Sequence, residues 1–117
     1  MSRLTIGVSK SNLDLSKKDI EGFLVSNDVK LDSVFHLLSV FDELVNMHKS
    51  DLEVEINTDN EYVQIVTCSK GEEENFIKSE NPVTRLSLES INKVVDEISF
   101  VYKEKTHKFI FVLTKKF

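Results

Sequence analysis

The chain has 117 residues, 40% of them hydrophobic and 30% charged, with a formal net charge of −5. That length builds one domain, residues 1–117, able to bury roughly two-thirds of its unfolded surface without staples. It holds no apolar run near the roughly 20 residues that span a bilayer, and its lysines form no basic stripe of the kind that binds nucleic acid.

The opening Met1-Ser2-Arg3-Leu4 lacks the charged-then-apolar order of a secretory signal. Cys68 is the only cysteine, which excludes an internal disulfide and agrees with a reducing compartment. The expected location is the cytoplasm.

Leu4, Ile6 and Val8 alternate with Arg3, Thr5 and Gly7, which predicts a strand over 3–9 with one buried face. Ser16 is the expected N-cap of a short helix running to about residue 26, with Asp19 in its first turn and Ile20, Phe23 and Leu24 on one face. From residue 30 to about 48, Leu31, Val34, Leu38, Phe41 and Val45 recur at helical spacing, flanked by Leu37, Val40 and Leu44. This is the expected core helix.

Residues 51–68 read as a β-hairpin, with Leu52, Val54 and Ile56 on one arm and Val63, Ile65 and Thr67 on the other. Thr58-Asp59-Asn60 between them favours a turn. Residues 69–85 carry Glu72-Glu73-Glu74 and the only proline, Pro82, without sustained periodicity, and are expected as a loop. Ser87 is the expected cap of a third helix that ends near Glu97, with Leu88, Ile91, Val94, Val95 and Ile98 facing inward.

The final stretch pairs Phe100 and Tyr102 with Phe109, Phe111 and Leu113 across a turn at Glu104-Lys105-Thr106. Its second strand, apolar on both faces, is expected to be central. The resulting order, β-α-α-β-β-α-β-β, predicts an α+β two-layer sandwich with a mixed or antiparallel sheet and its helices on one face.

Within the core helix, Asp42 and Asn46 stand four residues apart, on one face and a turn from each other, the placement that joint contact with a metal-phosphate group requires. After the hairpin comes Ser69-Lys70-Gly71, a glycine turn at a strand end. Together with the element order, these residues make the whole chain resemble the ATP-binding domain of the histidine-kinase, gyrase and Hsp90 (GHKL) type, in the small form of bacterial anti-sigma factor serine kinases.

The resemblance implies that Asp42 and Asn46 occupy the family's acid and magnesium-holding asparagine, and that Gly71 lies at its adenine-binding turn. Ser69 then stands where the family has the adenine-reading aspartate. The segment Asn81-Pro82-Val83-Thr84-Arg85-Leu86-Ser87-Leu88 replaces a glycine-rich phosphate wrap yet contains no glycine. With these departures Asp42, Asn46, Ser69 and Gly71 read as a vestigial nucleotide site, without catalytic or metal-binding residues and without a cofactor.

The expected function is a non-catalytic regulatory module that binds a protein, and the resemblance implies a sigma factor or an anti-anti-sigma-type protein as partner, with a possible homodimer. The alternative is a divergent ATP- and magnesium-dependent serine kinase or ATPase, with Asp42 as general base and Asn46 holding the ion. A third reading is a small orphan or phage-type protein that inhibits a host factor through its acidic loop. His36 on the core helix, His48 at its end, His107 at a strand start and Cys68 in a strand have no partners at metal-ligand or nucleophile spacing, so each is expected in a structural role.

Overall fold

The computed structural model describes residues 2–48, 51–70, 82–103 and 105–117. Among them the chain runs β1 (Ser2–Val8), α1 (Leu13–Ser26), α2 (Leu31–Met47), β2 (Leu52–Thr58), β3 (Tyr62–Lys70), α3 (Pro82–Val94), β4 (Glu97–Lys103) and β5 (Lys108–Lys116). This is the α+β order that the patterning predicts. The strands form one antiparallel sheet in the order β1-β2-β3-β5-β4, with β3 in the middle.

The period-two pattern sets which face of the sheet is dry. Leu4, Ile6 and Val8 lie across from Ile56, Val54 and Leu52. Ile56 in turn pairs with Ile65, Ile65 with Leu113 and Leu113 with Ile98, so one apolar row crosses all five strands. The helices supply the other half of the core: Ile20 and Leu24 from α1, Leu37, Phe41 and Leu44 from α2, and Ile91 from α3 are all buried. α2 is the middle helix and touches both α1 and α3.

β5 pairs with both β3 and β4, as its two apolar faces require. Phe109 and Phe111 on its inner face meet edge to face at 4.9 Å, and Phe100 stacks against Phe109 at 6.3 Å. His48 closes α2 as its C-cap residue, buried, with its ring 6.0 Å from that of Phe111.

Three element boundaries differ from the sequence reading. α1 begins at Leu13, not after Ser16: Asn12 occupies the cap position, its Oδ1 accepts the Ser9 N–H at 2.7 Å, and its Nδ2 donates to the Gly7 carbonyl at 3.2 Å. Ser16 is buried inside the helix, where its hydroxyl lies 3.2 Å from Asn12 Oδ1. The Asn12 side chain leaves the helix N–H groups uncapped and instead ties the first turn to the end of β1, and that tertiary tie outweighs a local serine signal.

α3 likewise begins earlier, at Pro82, which suits the first turn of a helix because its missing N–H has no partner to lose there. Ser87 is buried within that helix and is not its cap. The helix stops at Val94, and Glu97 already belongs to β4. Pro82 to Arg85 are therefore helical, while residues 71–81 of the expected loop lie outside the described residues.

The α1–α2 connection reverses direction through Asp28, whose φ of 62° is left-handed. Asp28 N–H donates to the Val25 carbonyl and Val29 N–H to that of Leu24, both at 3.1 Å, which satisfies the carbonyls a helix end leaves open. In the β2–β3 hairpin, Asp59 Oδ1 accepts the N–H groups of Glu61 at 2.8 Å and Tyr62 at 3.1 Å, the side-chain turn chemistry expected of aspartate.

Candidate functional site

At 100° per residue, Leu31, Phe35, Asp42 and Asn46 fall within roughly 60° of arc on α2. Opposite them on the helix, Leu37, Phe41 and Leu44 are fully buried in the core. The ridge that carries the acid and the asparagine is therefore the solvent side of the central helix. Asn46 is exposed, and so are Leu31 and Phe35, at 59% and 58%.

Asp42 is engaged from the neighbouring helix. Lys17 Nζ in α1 lies 3.1 Å from Asp42 Oδ1 and 2.9 Å from Oδ2, so one ammonium group spans both carboxylate oxygens. The aspartate side chain is 45% exposed and the lysine 27%, placing the pair at the boundary between helix layer and water. In this arrangement both acceptor oxygens of Asp42 face a fixed cation, which competes with proton acceptance from a substrate hydroxyl.

Ser69 sits apart from these residues. It is buried on the core face of β3, across from Phe109, and its Oγ has no hydrogen-bond partner among the described residues. The sheet-facing side of α2 separates it from Asp42 and Asn46, so the structure brings the first two candidate residues together on one ridge and leaves the third out. Gly71, the fourth, lies outside the described residues, as does the Glu72-Glu73-Glu74 run.

The remaining singled-out residues have structural settings. His36 is exposed on α2, with Ser39 Oγ donating to its carbonyl at 2.6 Å. His107 takes a left-handed φ of 52° in the β4–β5 turn, with Nδ1 3.3 Å from the Tyr102 hydroxyl. Cys68 is half-buried and on the outer face of the sheet, in the row of Glu53 and Ile110, rather than in the core. No group of three or more His, Cys, Asp or Glu side chains is placed to hold a metal ion among the described residues, and none of the helices there is long and apolar enough to cross a membrane.

One polar cluster escaped the sequence reading. Ser9, Lys10 and Ser11 from the β1–α1 connection meet His48 and Asp51 around a cleft of about 230 Å³. It is smaller than the roughly 300–1,000 Å³ typical of small-molecule sites. Its members come from three separate stretches, so no local motif marks them.

No known protein-family model and no curated protein matches the chain.

Proposed function

We propose that this chain is a cytoplasmic, non-catalytic regulatory module that binds a protein partner through the exposed ridge of α2, on a degenerate fold of the anti-sigma and histidine-kinase ATPase type. The observation that carries the reading is the state of Asp42. Its carboxylate is held by Lys17, while Leu31 and Phe35 stand exposed on the same ridge. A ridge with two large apolar groups beside a neutralised acid suits protein contact better than a polyanionic nucleotide.

The element order and the Asp42–Asn46 spacing support the kinship; the serine at position 69 and the glycine-free segment from Asn81 to Leu88 support loss of nucleotide chemistry. Aromatic and aliphatic anchors of this kind dominate binding energy when a partner buries them. The net charge of −5 favours a partner that presents cations around an apolar pocket. A sigma factor or an anti-anti-sigma-type protein is the partner class that the kinship implies.

Affinity capture with the wild-type chain and with Phe35→Glu tests the reading, followed by titration of the purified pair. A partner bound by the wild type and weakened at least tenfold by Phe35→Glu supports it. A rise of several degrees in Tm with ATP and magnesium, abolished by Asn46→Ala, overturns it in favour of a working nucleotide site.

A further inference from the structure

The helices cover one face of the sheet, and the other face carries a self-complementary pattern. Its residues align in rows across all five strands. One row reads Gly7, Glu53, Cys68, Ile110, Val101; the next Thr5, Glu55, Val66, Val112, Ser99; the third Arg3, Asn57, Gln64, Thr114, Glu97. Val66, Cys68, Ile110 and Val112 give the middle an apolar centre, and Val101 on the β4 edge is 54% exposed.

The flanks differ in kind. On the β1–β2 side stand Arg3, Glu53, Glu55 and the side-chain-free Gly7, where an added Cβ would meet nothing within 4 Å. On the β5–β4 side stand Lys108, Glu97 and the protruding Val101.

We infer that this outer sheet face binds a second copy of the chain, sheet against sheet, about a two-fold axis parallel to the central strand β3. Such an axis exchanges β1-β2-β3-β5-β4 for its reverse, so β1 of one copy covers β4 of the other and β2 covers β5. Arg3, which lies 3.3 Å from Glu55 in its own chain, then faces Glu97 of the second copy, itself 2.7 Å from its own Lys116; Val101 enters the space over Gly7, Glu53 lies over Ile110 beside Lys108, and Glu55 lies over Val112. Val66 and Cys68 meet their own copies on the axis.

Packed sheets sit about 10 Å apart with mean strand directions within about 30° of each other, a geometry that long side chains at the flanks can span. The alternative axis, perpendicular to the strands, would set each strand on its own copy turned end for end. Lys108 would then face Lys116, so the charges select the first arrangement. This inference is independent of the α2 ridge, which stays open in such a dimer.

Sedimentation of the full chain over a concentration range up to about 1 mM tests it, since that range captures even weak association. A monomer–dimer equilibrium is expected, abolished by Val112→Glu in a variant whose circular-dichroism melt remains cooperative. Arg3→Glu and Glu97→Arg are each expected to weaken the dimer roughly tenfold, and the double variant to restore it. Four strand spacings of about 4.8 Å separate these two residues within one chain, so only an intermolecular contact gives that rescue.

A bismaleimide with a spacer of about 10 Å should join Cys68 to Cys68 in the wild type and fail in Val112→Glu. A chain that stays monomeric throughout overturns the inference. So does a dimer indifferent to Val112→Glu, or one that the double charge swap does not restore, either of which would indicate pairing through a sheet edge or the helix layer.

Discussion

Lys17 on α1 holds both oxygens of Asp42 on α2, at 3.1 and 2.9 Å, and so ties the first two helices together at their solvent boundary. The pair is partly exposed, and exposed ion pairs contribute about 0–1 kcal/mol after screening and side-chain entropy are counted. Lys17→Met and Asp42→Asn should each lower stability by less than about 1 kcal/mol in urea unfolding, with a double-mutant coupling of the same small size. Coupling well above that would mark the pair as a structural clasp rather than a boundary contact.

Asn12 bears more of the fold than its half-buried setting suggests, because its amide joins the end of β1 to the first turn of α1 through Ser9 N–H, the Gly7 carbonyl and the Ser16 hydroxyl. Asn12→Ala is expected to cost about 1–2 kcal/mol, through the loss of these hydrogen bonds at about 0.5–1.5 kcal/mol each. Asn12→Asp should retain the contact from Ser9 N–H and lose only the donation to Gly7, giving an intermediate melting temperature. Equal melting of the wild type and Asn12→Ala would show that water replaces the network at no cost.

The same connection shows what a sequence can and cannot disclose. Hydrophobic periodicity predicts each strand and helix among the described residues, because the inward facing of the partly buried Leu4 and Ile6 and the buried Val8, or of Leu37, Phe41 and Leu44, leaves a repeat in the chain itself. Helix starts were misplaced at Ser16 and Ser87, since a serine signals a cap only locally, and here Asn12 and Pro82 serve that end through contacts or backbone constraint.

The candidate site was legible only as a spacing. The spacing of four from Asp42 to Asn46 guarantees a shared face, but not which way that face points, and nothing near Asp42 in the chain announces a lysine 25 positions earlier. The outer sheet face was hidden for a similar reason. Gly7 and Val101 share a row only once four strand registers are known.

Asp28 holds a left-handed φ of 62° at the end of α1, a conformation that costs a side-chain-bearing residue about 1 kcal/mol relative to glycine. Asp28→Gly should therefore raise stability modestly, by about 0.5–1 kcal/mol, part of the gain being lost to the greater freedom of glycine in the unfolded chain. Thermal melts of Asp28→Gly beside Asp28→Ala separate the two effects. The alanine variant should be no more stable than the wild type.

Ser69 presents the reverse case, a buried polar group whose hydroxyl has no hydrogen-bond partner among the described residues. An unsatisfied buried donor costs about 1–3 kcal/mol, so Ser69→Ala should be neutral or stabilising by about 1 kcal/mol. A loss of more than about 1 kcal/mol in the alanine variant would mean that the hydroxyl is engaged in solution. That outcome would revive position 69 as a polar site residue.

At the far end of the sheet, Lys116 Nζ donates to Glu97 Oε1 at 2.7 Å across the β5–β4 pair. That hydrogen bond, then the charge of Glu97 and to a lesser degree that of Asp96, raises the lysine above its ordinary value of 10.5. A raised folded-state value means that protonated Lys116 favours the folded chain. The stabilisation is complete below the unfolded value and is lost as the pH climbs through the higher folded one, so it weakens only in strongly alkaline solution. Side-chain NMR titration should find Lys116 deprotonating at higher pH than the unperturbed 10.5, and Glu97→Gln should return it towards that value. Because both side chains are exposed, the variant should leave the neutral-pH melting temperature nearly unchanged. A wild-type Lys116 that titrates at its ordinary value would show that water and salt dissolve the pair.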